Sequence, residues 1–151
     1  MTKKQKPNNQ IVIYQAKSGA IELRGDLDRG TIWATQAEMA EVFAVTPQNI
    51  TLHIRNIFKD GELDVHPTCK DYLQVQKEGS REIKRKVKVY NLDVIIAVGY
   101  RINSVVGTKF RQWATKTLRQ YIVEGYAINK NRIAQNYKQF LAAIERVKQL
   151  L

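Results

Sequence analysis

Residues Thr35–Phe58 read TQAEMAEVFAVTPQNITLHIRNIF, and this stretch decides how the rest of the chain is read. Thr35 precedes an apolar-periodic run and Glu38 follows three residues later, the signature of a capping box that starts a helix. Met39, Ala40 and Phe43 fall on one face of that helix, and small Ala40 and Ala44 let a second helix cross closely. Val45 supplies the apolar residue of a turn. Thr46 caps the second helix, and Pro47 suits its first position, where no backbone donor is needed. Ile50, Ile54 and Ile57 recur at helical spacing and face inward, which leaves Gln48, Asn49, Thr51, Leu52, Arg55 and Asn56 pointing out. Two short helices joined by a tight turn have the plan of a helix-turn-helix. Amide, hydroxyl and guanidinium groups on the second helix are what base edges and phosphates bind. A plain helical hairpin with a polar outer face is the alternative at the same spacing.

Composition points the same way. The chain of 151 residues carries 25 Lys and Arg against 14 Asp and Glu, a net charge of +11 that favours a polyanionic partner. No apolar run approaches the length needed to span a bilayer, and the basic start MTKKQKPNNQ lacks the apolar segment of a secretion signal. Cys69 is the only cysteine, so no internal disulfide forms, and a reducing cytoplasm is expected.

Upstream, residues 1–10 read as a flexible basic tail. Ile11–Tyr14 and Ile21–Arg24 read as a small hairpin around Lys17–Gly19, followed by a loop over Gly25–Gly30. Thr31–Ala34 leads into the first helix. Downstream, Lys59–Gly61 stops the second helix, and Pro67 makes Glu62–Thr68 irregular. Asp60, Glu62 and Asp64 are expected to be solvated in that stretch.

Tyr72–Lys77 and Glu82–Tyr90 then read as two strands around Gly79–Ser80. The second alternates, with Ile83, Val87 and Val89 on one face and Lys84, Lys86 and Lys88 on the other. Arg85 breaks the apolar face and is expected near an edge. A hairpin after a helix-turn-helix is the plan of a winged helix, and its lysine face is expected to meet phosphates; lysines on an exposed strand also guard an edge.

Asn91 caps an apolar helix over Leu92–Val98, which Gly99–Arg101 ends or bends. Ser104 caps the next, where Phe110, Trp113, Ala114, Thr117, Leu118 and Tyr121 keep a helical period and Arg101, Lys109, Arg111, Lys116 and Arg119 make the flank basic. Gly125 ends it. A final helix places Ile133, Tyr137, Phe140, Ile144, Val147 and Leu151 at alternating spacings of four and three, the rhythm of a coiled-coil seam.

Several of these stretches together resemble the bacterial RhuM family of virulence-associated proteins: TIWATQAEMAEVFAV, ITLHIRNIFKDGEL, VYNLDVIIAVGYRINSVVGTKFRQWAT and LRQYIVEGYAIN, spanning roughly residues 31–129. The family name records a genomic association more than an activity. Its members are generally longer, which implies that the chain continues in a longer parent protein. Some homologous regions are fused to Fic-type domains, whose catalytic motif is absent here. GTKFRQWATKTLRQYI is similar to a helix of the Bro-N domain of phage and viral antirepressors, a resemblance that implies DNA binding.

Catalytic chemistry is not expected. His53 lies inside the second helix, and His66-Pro-Thr-Cys69 offers two metal ligands where a closed zinc site wants four. The glycines are isolated rather than gathered into a phosphate-cradling loop, so neither metal nor cofactor is expected. The reading is an α+β domain over 11–128, a helix-turn-helix with a basic, winged-helix-like hairpin and additional helices, followed by a long heptad-like helix over 129–151. Its expected function is sequence-specific binding of double-stranded DNA in transcriptional control. Gln48, Asn49, Thr51, Leu52 and Arg55 meet bases; Thr35, Lys84, Lys86, Lys88, Lys109, Arg111 and Lys116 meet phosphates; and the C-terminal helix makes a homodimer. The rival class is a protein-interaction module that does not touch DNA.

Overall fold

A computed structural model describes residues 13–19, 21–23, 31–134 and 136–151; the basic tail and the Gly25–Gly30 loop lie outside them. The fold is mixed α+β with antiparallel sheets. Two compact units divide it, Met1–Ala114 and Thr115–Leu151.

In the first unit, strand β1 (Ile13–Gln15) pairs antiparallel with β2 (Ile21–Leu23). Thr31–Ala34 is more than a lead-in: Trp33–Thr35 forms strand β3, whose pairing depends on a partner more than fifty residues away. Thr35 then caps helix α1 (Gln36–Phe43) in a full capping box with Glu38. Ala44 ends α1 in the left-handed conformation, at φ 55°. It is exposed, so only Ala40 of the two alanines lies at the helix crossing. Helix α2 (Pro47–Lys59) follows, with Thr46 as N-cap and Pro47 in its first position, and Gly61 turns the chain away at φ +72°.

Val65–Thr68 forms a helical turn, α3, instead of the expected irregular segment. Pro67 is tolerated because a first helical turn leaves its backbone donors unused. Thr68 Oγ1 donates to the Asp64 carbonyl at 2.6 Å. Strands β4 (Cys69–Glu78) and β5 (Arg81–Asn91) form a long hairpin, and β3 pairs with the base of β5, giving the sheet order β3-β5-β4. Beyond Val89, on the side away from β4, β5 has no strand neighbour among the described residues, so Arg85 does lie on an edge.

Asn91 caps helix α4 (Leu92–Arg101) through Val94 N–H. It ends at Arg101, within the Gly99–Arg101 stretch expected to end or bend it, and Gly99 itself lies inside the helix. A side chain there would run into the ring of Phe110, so glycine permits close approach of the next helix. That helix, α5, spans Val105–Glu124, with Ser104 accepting from Gly107 N–H at 3.0 Å. Phe110 sits fully buried, edge-on to Phe43 and Tyr100 at centroid separations of 5.9 and 5.6 Å. It belongs to one buried cluster with Met39, Ile50, Ile54, Ile57, Val94, Ile95 and Val98. This core joins α1, α2 and α4, and fixes the inward face of α2.

The β1–β2 turn also packs on α5: Gln15 Nε2 donates to the Val106 carbonyl at 2.8 Å, and a Cβ on Gly19 would meet the Lys109 carbonyl. In the second unit α5 ends before Gly125, at φ +85°. The expected continuous heptad helix is two helices, α6 (Lys130–Ile133) and α7 (Tyr137–Leu150). Asn129 caps the first through Arg132 N–H, and since α6 ends at Ile133 and α7 begins at Tyr137, Ile133 is not part of the α7 stripe. None of the α7 residues is fully buried; Tyr137, Leu141, Val147 and Leu150 are exposed. Leu118 and Tyr121 of α5, placed by periodicity on a buried face, are exposed too.

Candidate nucleic-acid interface

The solvent face of α2 is narrow. Its three isoleucines are buried, and the residues a turn away are exposed: Gln48, Leu52, Arg55 and Lys59 run along one stripe. Leu52 is a large apolar side chain at 48% exposure in the middle of it, a suitable surface for a thymine methyl group. Lys59 completes the stripe, four residues beyond Arg55; that spacing was its signal in the sequence, where it reads as part of a helix stop.

The other expected base-facing residues are placed differently. Asn49 is half-buried, and its Oδ1 is buried without a hydrogen-bond partner among the described residues. Thr51 is half-buried, and its hydroxyl is engaged at 2.7 Å from Gln36 Oε1 and 3.0 Å from the Pro47 carbonyl. Asn56 is half-buried.

The hairpin places its lysines by register. Lys84, Lys86 and Lys88 alternate on one face of β5 opposite Val75, Leu73 and Asp71, and all three are exposed. Among the described residues none of them forms an ion pair. Alternation continues through Lys88 to Tyr90, which is buried in the core and whose hydroxyl lies 3.3 Å from Gln36 Nε2 in α1. The lysine face is therefore the face of β5 that, at its base, looks onto the helix pair. Val89, of the opposite phase, is buried as well, so both faces are covered there and the lysine face is not wholly a solvent face.

Two expected phosphate contacts, and one further arginine of the basic flank, have internal partners. Thr35 Oγ1 accepts from Glu38 N–H and the Thr35 N–H donates to Glu38 Oε1, both at 3.1 Å. Arg111 donates to the Ile102 carbonyl and to Thr108 Oγ1. Arg101, part of the basic flank, bridges Asp60 at 3.2 Å and Glu62 at 2.9 Å, so two of the carboxylates expected to be solvated are paired instead. These bonds, that to Glu62 first, hold its guanidinium still more firmly protonated than usual. Lys109 is exposed in the first unit and Lys116 in the second. Burial, and then the positive charge of Arg101, lower the pKa of His53.

Among the described residues no three His, Cys, Asp or Glu side chains gather into a metal site, and no helix is long and apolar enough to cross a membrane.

A family model for the virulence protein RhuM family matches residues 67–150. The chain belongs to the RhuM family. No curated protein and no solved structure matches it. The RhuM match takes in the β4–β5 hairpin with Lys84, Lys86 and Lys88, and helices α4 to α7, whereas α1 and α2 precede it.

Proposed function

We propose that this RhuM-family chain binds double-stranded DNA sequence-specifically through a winged helix-turn-helix and acts in transcriptional control, without catalysis. The observation that carries the reading is the link between two chemistries, through Tyr90, Gln36 and Thr51. The face of β5 that bears three exposed lysines is the one whose Tyr90 bonds to α1, next to the helix with the Gln48-Leu52-Arg55-Lys59 stripe. A strand, two helices and a hairpin whose second strand pairs back onto the first is the order of elements in a winged helix.

In this reading α2 enters the major groove, which is wide enough for one helix. Gln48, Leu52 and Arg55 meet base edges, and Asn49 joins them once its amide turns outward. Lys84, Lys86 and Lys88 neutralise backbone phosphates beside it, with Lys59 and Lys109 as further cations. The Thr115–Leu151 unit pairs two copies of the chain, as two-fold operators require.

Band-shift titration of random duplex DNA at two salt concentrations tests the proposal. Binding that weakens steeply with salt is expected, because each neutralised phosphate releases counterions. Absence of binding at low salt would overturn it. The exposed apolar side chains of the second unit favour one other reading, a protein-interaction module, and that outcome would leave it standing.

A further inference from the structure

The β4–β5 hairpin extends well beyond its pairing with β3. Pairing with β3 ends at Val89, and β5 runs eight residues further to Arg81, about 26 Å at the rise of an extended strand. From the centre of a major groove to the neighbouring minor groove is about half a helical turn, roughly 17 Å along the axis. A hairpin of this length is long enough to pass the phosphates and reach that minor groove.

The tip is also built for a groove. Gly79 and Ser80 form a two-residue turn, with Gly79 at φ +63° and Ser80 not in the left-handed region. This is the type II′ geometry, which adds no width beyond the two strands. A Cβ on Gly79 would meet nothing, so the turn stands clear of the protein. Arg81 follows at once, exposed, on the face opposite the lysines. The acidic group nearest in register, Glu78, is bridged at 3.5 Å by Arg85 instead. Among the described residues Arg81 forms no ion pair.

We infer that Arg81 inserts into the minor groove flanking the site read by α2, and that it selects a narrow, A·T-like groove there. The inference rests on the major-groove placement of α2. The physical basis is general: a narrow minor groove concentrates negative potential and attracts an arginine, whereas the exocyclic 2-amino group of guanine obstructs its floor.

The experiment compares intact protein on three duplexes of equal length, built from A·T, G·C or inosine·C pairs. Inosine·C presents the major groove of G·C but lacks the 2-amino group, so the ratio of inosine·C to G·C affinity isolates the minor groove. A preference of about tenfold for inosine·C is expected, the scale of one discriminating base contact, falling to about one in Arg81→Ala with binding to all three retained. An intermediate preference is expected for Arg81→Lys, which keeps the charge without the flat guanidinium. Equal wild-type affinity for the two duplexes would overturn the inference while leaving duplex binding in place. A preference that survives Arg81→Ala would overturn the assignment to this residue. Failure to bind any of the three would remove the DNA reading itself.

Discussion

Gln36 at the start of α1 receives a hydrogen bond from Thr51 in α2 at 2.7 Å, while its amide nitrogen lies 3.3 Å from the hydroxyl of Tyr90 in β5. One side chain thus ties the exposed helix to the base of the hairpin. Thr51→Val keeps the shape and the β-branch but leaves Gln36 Oε1 without this donor. The expected outcome is a loss of about 1–2 kcal/mol in stability, read as a lower midpoint in thermal unfolding. An unchanged midpoint with altered preference at one base position would return Thr51 to the base-reading set.

Gly99→Ala sets two effects against each other. Alanine favours a helix interior by about 1 kcal/mol over glycine. The added methyl, however, points into the ring of Phe110, which is itself fully buried between Phe43 and Tyr100 and cannot withdraw. Overpacking of this kind costs about 1–3 kcal/mol, so destabilisation is expected in urea unfolding. A stabilised variant would show that the ring moves freely.

Replacing Lys84, Lys86 and Lys88 together with Ala is expected to weaken binding to every duplex alike. Each lost phosphate contact lowers the log–log salt slope by about 0.9, so the slope is expected to fall by about 2.7 if all three take part. The fold should hold, since the three side chains are exposed. An unchanged slope rules the lysine face out as a contact.

His53 makes stability depend on pH in one direction. Burial, with help from Arg101, lowers its folded-state pKa from 6.5. The unfolded chain then binds more protons than the native one between the two values, so stability rises with pH through that window. The contribution is present above pH 6.5 and is lost as pH falls toward the folded-state value. Urea midpoints measured between pH 7.5 and about 5 should decline, and His53→Gln should flatten the part due to this group. A decline of the same size in both proteins would place its source elsewhere.

Phe140 and Ile144 of α7 are half-buried, while Tyr137, Val147 and Leu150 are exposed. If this helix pairs two chains, Phe140→Asp with Ile144→Asp is expected to give a folded monomer in sedimentation with its helical signal retained. A loss of thermal stability at constant mass would mean that both residues serve their own unit. Wild-type protein sedimenting as a monomer at high micromolar concentration would end the dimer proposal for this chain.

Local chemistry was legible in the sequence. Thr35 with Glu38, Thr46 with Pro47, and Asn91 announce helix starts because a cap needs only side chains within three residues of the backbone it satisfies. The period of Ile50, Ile54 and Ile57 and that of Lys84, Lys86 and Lys88 announce which way those residues face. What depends on distant partners was hidden. Strand β3 exists only because β5 supplies its hydrogen bonds, and the close approach of Phe110 to Gly99 depends on the next helix. Arg101 and Arg111 looked like free cations, but Asp60 and Glu62 hold one and the Ile102 carbonyl the other. Thr51 looked outward by phase alone, yet the crossing of α1 brings Gln36 to its hydroxyl. Spacing along a chain fixes the direction of a side chain from its own helix or strand. Whether that direction ends in solvent or in a partner is decided by packing between elements, which tertiary structure alone supplies.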